Sequence, residues 1–345
     1  MHQGAKMTRG DLIRKLFKSY KMHDDEEFEK AALQIIAEEQ SKNNHLLAKS
    51  LIQILEGSNG INYSLESNAR SFNLPKDKER HTTLVEIRNP DRIFSDIILD
   101  KNHTKTVEKI LAEYRSSAIL ETHGLEPTNK ILFCGPPGCG KTLCAEIISK
   151  ELGLPMLYSR FDSIVSSYLG ETAANLRKIF DFASTGRWVL MFDEFDAIGK
   201  ARDDHNEHGE LKRVVNSFLQ MLDNFKSASL IIAATNHEQL LDPALWRRFH
   251  EIVYFPKPSS EQLKKTIALK FRNFPYSFDA NEAIPKLKDM SYADIERISF
   301  DSIKTAIIEN KEEVDSQLFK KAIDSHKVRL DIAKAAKKRK NNDIS

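Results

Sequence analysis

A glycine-rich segment and an acidic pair lie about fifty residues apart in this chain. Residues 135–142 read Gly-Pro-Pro-Gly-Cys-Gly-Lys-Thr, and residues 188–194 read Trp-Val-Leu-Met-Phe-Asp-Glu. Because glycine has no Cβ, the backbone N–H groups of such a loop can converge on phosphate oxygens, and a following helix N-terminus adds partial positive charge. The first segment therefore predicts a phosphate-binding loop. The second predicts a metal-holding carboxylate and a general base at the end of a buried strand.

The loop stands in the context that a phosphate site requires. An apolar run, Ile131–Cys134, precedes it and a helical pattern, Leu143–Leu152, follows it. The alternative, an ordinary glycine-rich turn, does not need a strand before it and a helix after it. We predict that Lys141 contacts the β- and γ-phosphates of ATP and that Thr142 binds Mg²⁺. The other residues predicted to surround the nucleotide are Gly135, Pro136, Pro137, Gly138, Cys139, Gly140 and Leu143.

Three polar residues follow two further apolar runs. Asp193 and Glu194 end the run from Trp188, where adjacent buried carboxylates are costly unless they are used. We expect Asp193 to hold Mg²⁺ through water and Glu194 to polarise the attacking water as a general base. Asn236 ends the next run and is expected to reach the γ-phosphate or that water, although an isolated Asn there would be a turn or cap residue.

An arginine pair, Arg247-Arg248, comes shortly after the Asn236 strand. An isolated pair of this kind usually belongs to a solvated face. Here the two arginines cannot easily bend into their own phosphate pocket, so they are predicted to complete the site of a neighbouring subunit as arginine fingers. This predicts a homo-oligomeric ring.

Composition limits the wider assignment. A chain of 345 residues suits two or three domains, and a net charge of +2 gives no whole-chain argument for nucleic acid. The chain shows no apolar run long enough to span a membrane and no signal segment, so we expect a cytoplasmic protein without a membrane partner. The three cysteines, Cys134, Cys139 and Cys144, are expected to be reduced thiols.

The apolar patterns predict an α/β protein with helical domains on either side. The expected parts are a helical bundle of three helices (1–58), a linker (59–84), a large α/β domain (85–256), a small helical lid (257–330) and a basic tail (331–345). The large domain is expected to contain a five-stranded parallel sheet of the phosphate-loop NTPase type, covered on both faces. Its strands are predicted at Ile131–Cys134, Met156–Tyr158, Trp188–Phe192, Leu230–Ala234 and Ile252–Phe255.

Over about residues 90–310 the chain resembles the AAA+ superfamily, in particular the protein-remodelling clade of katanin, spastin and fidgetin. Gly135–Thr142 matches the Walker A motif, Val189–Glu194 the Walker B motif and Asn236 sensor 1. Arg247-Arg248 matches the double arginine finger, and the match is closest to small single-ring bacterial ATPases. The resemblance implies a hexamer with ATP and Mg²⁺ as cofactors.

The resemblance also implies a central pore and an adenine pocket. Tyr168-Leu169-Gly170 is similar to the loop that such rings project into the pore to grip polypeptide, and residues 202–209 would form a second, polar pore loop. Ile98 and Ala293 match adenine-pocket positions. The flanking residues depart from the family pattern, since Ile98-Leu99 replaces a glycine pair and Tyr292 could occupy part of the adenine space.

The function expected from these motifs is that of a ring-forming ATPase that remodels or threads protein. The N-terminal bundle is expected to dock a substrate or partner, and a separate subtilisin-like serine protease is a partner that the small bacterial relatives imply. Two alternatives stay open. One is a nucleic-acid motor, which the basic run Lys337–Lys340 favours and Tyr168 disfavours, and the other is a nucleotide-gated regulatory module that threads nothing.

Overall fold

The computed structural model describes residues 9–22, 25–41, 74–78, 80–165, 169–197 and 208–342. The chain divides into two units, whose described parts are residues 9–41 and the residues from 74 onward. In the first unit, α1 (Arg9–Met22) packs on α2 (Asp25–Ser41) through buried Leu12, Ala31 and Ile36. Two of the three predicted N-terminal helices are thus present. The third, at Leu46–Leu55, lies outside the described residues.

The second unit is built on a six-stranded sheet. Its strands are β1 (Glu86–Arg88), β2 (Lys130–Cys134), β3 (Met156–Arg160), β4 (Val189–Asp193), β5 (Leu230–Thr235) and β6 (Glu251–Tyr254). Their order across the sheet is β1-β3-β4-β5-β2-β6. The five strands β3, β4, β5, β2 and β6 are parallel and correspond to the five predicted runs. β1 pairs antiparallel with β3, so the prediction of a purely parallel, five-stranded sheet is wrong at this edge.

The helices of the second unit cover both faces of the sheet and then form a lid. Those of the sheet region are α3 (Lys101–Arg115), α4 (Ser117–Thr122), α5 (Lys141–Leu152), α6 (Phe161–Val165), α7 (Leu169–Ser184), α8 (His208–Asn224) and α9 (Pro243–Trp246). Those of the lid are α10 (Ser260–Lys270), α11 (Ala280–Leu287), α12 (Tyr292–Ile308) and α13 (Ser316–Asn342). No described helix is long and apolar enough to cross a bilayer.

The core explains why the central strands read as continuous apolar runs. In β2, Leu132 and Cys134 join one buried cluster while Ile131 and Phe133 join the other, so the strand is buried on both faces. The first cluster contains Phe218 of α8, whose ring lies 5.6 Å from that of Phe192. A third cluster fills the lid, where the rings of Phe278 and Phe319 stack at 4.0 Å.

Two segments lie across boundaries expected from the sequence. Residues 74–78 and 80–84 belong to the predicted linker, yet Asp77 is 2% exposed and accepts a hydrogen bond from Asn175 Nδ2 at 2.9 Å. Ser159 of β3 likewise donates to the carbonyl of Leu84 at 2.8 Å. At the other end, α13 continues as one helix to Asn342, through the expected start of the tail.

Candidate functional site

The loop between β2 and α5 takes a shape that only glycine permits at two positions. Gly135 has φ +127°, and a Cβ on it would collide with the backbone oxygen of Phe255 beside β6. Gly138 has φ +73°, and a Cβ on it would lie 2.6 Å from Ser291 Oγ. Both backbones are in the left-handed region that side chains disfavour. The loop is therefore packed tightly between the sheet and the first turn of α12.

Lys141, the first residue of α5, points its ammonium group into this loop. Its Nζ donates to the carbonyls of Gly135 at 2.6 Å and Pro136 at 2.9 Å, and to Asn236 Oδ1 at 2.8 Å. Burial lowers the pKa of Lys141, whose residue is 6% exposed. The lysine and the asparagine, 95 positions apart, thus meet at the carboxyl ends of two adjacent parallel strands.

Thr142 and Asp193 meet beside the lysine. Thr142 Oγ1 donates to Asp193 Oδ2 at 2.9 Å, and the Tyr158 hydroxyl donates to the same oxygen at 3.2 Å. Burial, and then the Asp193 carboxylate, raise the pKa of Tyr158 to about 12, so it remains a donor. Oxygen ligands of this kind suit Mg²⁺.

Glu194 follows β4 with its backbone in the left-handed region and with a raised pKa of its carboxyl group. Its φ is +54°, and its N–H donates to Asp193 Oδ1 at 2.9 Å. Burial and the neighbouring Asp162 carboxyl group raise the pKa of Glu194, while Arg160 Nη2, 3.3 Å from Glu194 Oε2, acts in the opposite direction. Glu194 is thus held in a group of three charged side chains.

Sequence reasoning missed Arg160 and Asp162 altogether. Arg160 ends β3 and is the register partner of Asp193, which places its side chain beside the acidic pair. Its guanidinium also contacts Asp162 Oδ2 at 2.8 Å. An Arg-x-Asp at a strand end carries no signal by itself, because its meaning depends on which strand lies alongside.

The remaining loop residues and the lid border the site. Cys139 is buried, burial raises the pKa of its thiol, and its Sγ lies 3.8 Å from the Pro137 carbonyl. Leu143 is half-buried in the first turn of α5. Ala293 N donates to the Gly138 carbonyl at 3.1 Å, so this predicted adenine-pocket residue does contact the loop.

Ile98, a predicted adenine-pocket residue, lies in the segment just before α3. It lines a cavity of about 350 Å³ together with Phe94, Ile97 and Lys265. It is Ile97, however, that comes nearest to Gly140, at 3.5 Å from the position of a Cβ there. Tyr292 is half-buried against the apolar cluster that contains Ile131 and Phe133 of β2, and burial raises its pKa to about 12.

The arginine pair lies at the amino ends of the parallel strands, whereas the phosphate loop lies at their carboxyl ends. His250 N donates to the Lys130 carbonyl at the start of β2, so Arg247 and Arg248 precede the amino ends of β6 and β2. The phosphate loop follows the carboxyl end of β2, and the five-residue strand between them is on the order of 13 Å long. Arg248 pairs with Asp223 at 3.4 Å, whereas Arg247 is exposed.

The pore-loop prediction falls largely on residues outside the description. Tyr168 and residues 202–207 lie outside the described part of the chain. Leu169 and Gly170 are described in their backbone only and begin α7. No described contact therefore bears on this loop, and its role stays a prediction.

Comparison with known proteins finds matches among AAA ATPases. Residues 131–257 match the model of the ATPase family associated with various cellular activities, AAA. An uncharacterized AAA family ATPase of Sinorhizobium fredii is 43% identical over 318 residues, 92% of this chain and 95% of that protein. A 26S proteasome regulatory subunit homologue of Methanocaldococcus jannaschii is 31% identical over 250 residues, 68% of this chain and 67% of that protein.

The matched region begins at the strand before the phosphate loop and ends just after β6, so it contains the loop, both carboxylates, Asn236 and the arginine pair. The Sinorhizobium relative extends the similarity over nearly the whole chain. On this basis the chain belongs to the AAA family of ATPases and hydrolyses ATP.

Proposed function

We propose that the loop at Gly135–Thr142 binds ATP and that Asp193, Glu194 and Asn236 carry out its hydrolysis. The observation that carries this proposal is the convergence of Lys141, Thr142, Asp193 and Asn236 within hydrogen-bond distance at the ends of β2, β4 and β5. Because Lys141 Nζ already contacts Asn236 Oδ1, one γ-phosphate can be contacted by both. The site thus has a cation for the phosphates and an amide to orient water.

The same residues fit a magnesium ion. Thr142 Oγ1 and Asp193 Oδ2, 2.9 Å apart, are the hard oxygen donors that would hold it. When bound, Mg²⁺ neutralises charge on the phosphate oxygens. Glu194 lies one residue beyond and accepts a proton from the attacking water once its carboxyl group is ionised.

Two substitutions test the site. Lys141→Ala should weaken binding of fluorescently labelled ATP about tenfold or more, because it removes charged hydrogen bonds. Glu194→Gln should bind ATP normally while turnover falls by about 10²–10⁴. Lys270→Met, which breaks an ion pair with Glu296 inside the lid, is the matched control. Normal ATP binding by Lys141→Ala would refute the assignment of the loop.

We further propose that Arg247 and Arg248 act on the site of a neighbouring copy in a hexameric ring. Their place at the amino edge of the sheet supports this, since their own phosphate loop lies at the carboxyl edge. Asp223 and the Ala244 carbonyl, 3.0 Å from Arg248 Nη1, anchor Arg248. Arg247 is the exposed member and is the one that we assign to the neighbour's γ-phosphate.

Mixed assemblies test this arrangement. Arg247→Ala should reduce turnover by about 10³ or more. Mixing it with Lys141→Ala should restore activity, because some interfaces then join an intact loop to an intact arginine. Arg297→Ala, which alters a lid arginine paired with Asp301, should have little effect alone. No recovery on mixing would show that the arginines act within their own chain.

We propose polypeptide as the substrate that the ring acts upon. A relative of this chain is named as a homologue of a proteasome regulatory subunit, and Tyr168-Leu169-Gly170 resembles a polypeptide-gripping loop. Casein, as an unfolded polypeptide, should stimulate the ATPase of the native chain but not of Tyr168→Ala. Stimulation by single-stranded DNA instead would favour the motor alternative, and equal stimulation of Tyr168→Ala would exclude threading by this loop. An associated serine protease remains part of the proposal.

A further inference from the structure

A buried histidine in the last lid helix is linked to the phosphate loop through a short series of contacts. His326 of α13 is 6% exposed, and its Nε2 lies 2.9 Å from Asp294 Oδ1 in the first turn of α12. The two residues are 32 positions apart. None of the motifs in the sequence includes His326.

The first link is between α12 and the loop. Ala293 N donates to the Gly138 carbonyl at 3.1 Å. Ser291 Oγ closes over Gly138 so tightly that a Cβ there would lie 2.6 Å from it. The shape of the phosphate loop at Gly138 thus depends on where α12 begins.

The second link is the cap of α12. Asp294 Oδ2 accepts from Ser291 N at 2.8 Å and from Ser291 Oγ at 2.7 Å. Asp294 N in turn donates to Ser291 Oγ at 3.3 Å, which completes a capping box. One carboxylate oxygen of Asp294 is therefore fully used in fixing Ser291.

The third link is His326, which holds the other oxygen. Because a carboxylate only accepts, Nε2 must carry the proton in this contact. Burial would raise the pKa of Asp294, but the hydrogen bonds from Ser291 and His326 lower it, so the carboxylate stays ionised. Asp294 cannot rotate away from Ser291 without losing both partners.

Burying His326 has a free-energy cost that filling space in the lid does not explain. Its Nδ1 is buried without a hydrogen-bond partner among the described residues. An unsatisfied buried nitrogen is unfavourable, and an apolar side chain of similar size would fill the lid core without that penalty. What His326 provides and an apolar residue does not is the hydrogen bond to Asp294.

We propose that His326 is a positioning residue of the ATP site. Through Asp294 and Ser291 it fixes the first turn of α12 against Gly138 and so maintains the loop geometry that binds phosphate. The inference rests on the nucleotide site proposed above. It predicts that loss of the His326 hydrogen bond weakens nucleotide binding and leaves the chemical step unchanged.

The test uses three variants and two measurements. His326→Leu fills a similar volume with an apolar side chain and removes the hydrogen-bond donor. His326→Gln keeps an N–H donor at the position of Nε2. His326→Leu should raise the Kd for labelled ADP and the KM for ATP about tenfold, with kcat at saturating ATP within about twofold. His326→Gln should restore both. Glu296→Gln, which breaks the ion pair between Glu296 of α12 and Lys270 of α10 without touching the loop, should behave like the native chain.

Each outcome decides the matter. Unchanged Kd and KM in His326→Leu would overturn the inference, as would a fall in kcat without a change in Kd. Should His326→Leu fail to fold, His326→Asn serves instead, since its shorter amide does not reach Asp294. Lys141→Ala separates the two proposals: if it binds ADP normally the site itself is wrong, and if only it loses ADP then His326 has no positioning role.

Discussion

Alanine at Gly138 offers a direct measure of how tightly the lid closes on the phosphate loop. Gly138 has φ +73°, and a Cβ there would lie 2.6 Å from Ser291 Oγ and 3.0 Å from Ala293 Cβ. Gly153, at the other end of α5, has φ +65° and nothing within 4 Å of such a Cβ. Gly138→Ala and Gly153→Ala therefore share the backbone strain and differ in the steric clash.

The expected magnitudes follow from this difference. A non-glycine residue in the left-handed region costs about 1–2 kcal/mol, which applies to both variants. Gly138→Ala must also displace Ser291, which is held by Asp294 and indirectly by His326, and overpacking of this kind costs about 1–3 kcal/mol more. If the displaced loop binds phosphate less well, each 1.4 kcal/mol of that strain corresponds to about tenfold weaker nucleotide binding.

Two assays separate the contributions. Urea unfolding should show Gly153→Ala losing about 1–2 kcal/mol and Gly138→Ala losing more. Titration with labelled ADP should show native affinity for Gly153→Ala and at least tenfold weaker binding for Gly138→Ala. Equal loss of stability and unchanged ADP affinity in Gly138→Ala would refute a tight contact between the lid and the loop.

Two further predictions concern the charged group at Glu194 and the core. Besides burial, the neighbouring Asp162 raises the pKa of Glu194 and Arg160 lowers it. Asp162→Asn should therefore move the acid limb of the pH profile of kcat to lower pH, whereas Arg160→Gln should move it to higher pH. Shifts of the same sign in steady-state ATPase assays would contradict this. Phe218→Ala should cost about 3–5 kcal/mol of unfolding free energy because four phenylalanine rings lie within 5.7 Å of it, whereas the exposed Phe300→Ala should cost about 1 kcal/mol or less in the same urea experiment.

The parallel strands were predictable because each is a short, uninterrupted apolar run. A strand buried on both faces has no alternation to interpret, and β2, β4 and β5 are of this kind. The sequence did not predict β1, because this strand has three residues, Glu86–Arg88, and is largely polar. Its place at the sheet edge is fixed by pairing with β3, which lies some seventy residues later.

The residues of the site likewise divide into those that the sequence could predict and those that it could not. Lys141, Thr142, Asp193 and Asn236 could be proposed from motifs, since their spacing to the flanking strands carries the information. Arg160 could not, because its proximity to Glu194 results from the register that pairs it with Asp193. His326 has no pattern around it, and only the packing of α13 on α12 brings it to Asp294.

Because the arginine pair and the phosphate loop lie at opposite ends of the strands, they belong to two different surfaces of each copy. A contact that joins the amino edge of one sheet to the carboxyl edge of another is heterologous, so the two surfaces in it differ and copies add head to tail. An open assembly of this type always has one loop without an arginine and one arginine without a loop. Turnover per subunit should then increase with the number of copies and reach its maximum when the last copy meets the first. In the ring proposed above, closure would in this way act as an activation step.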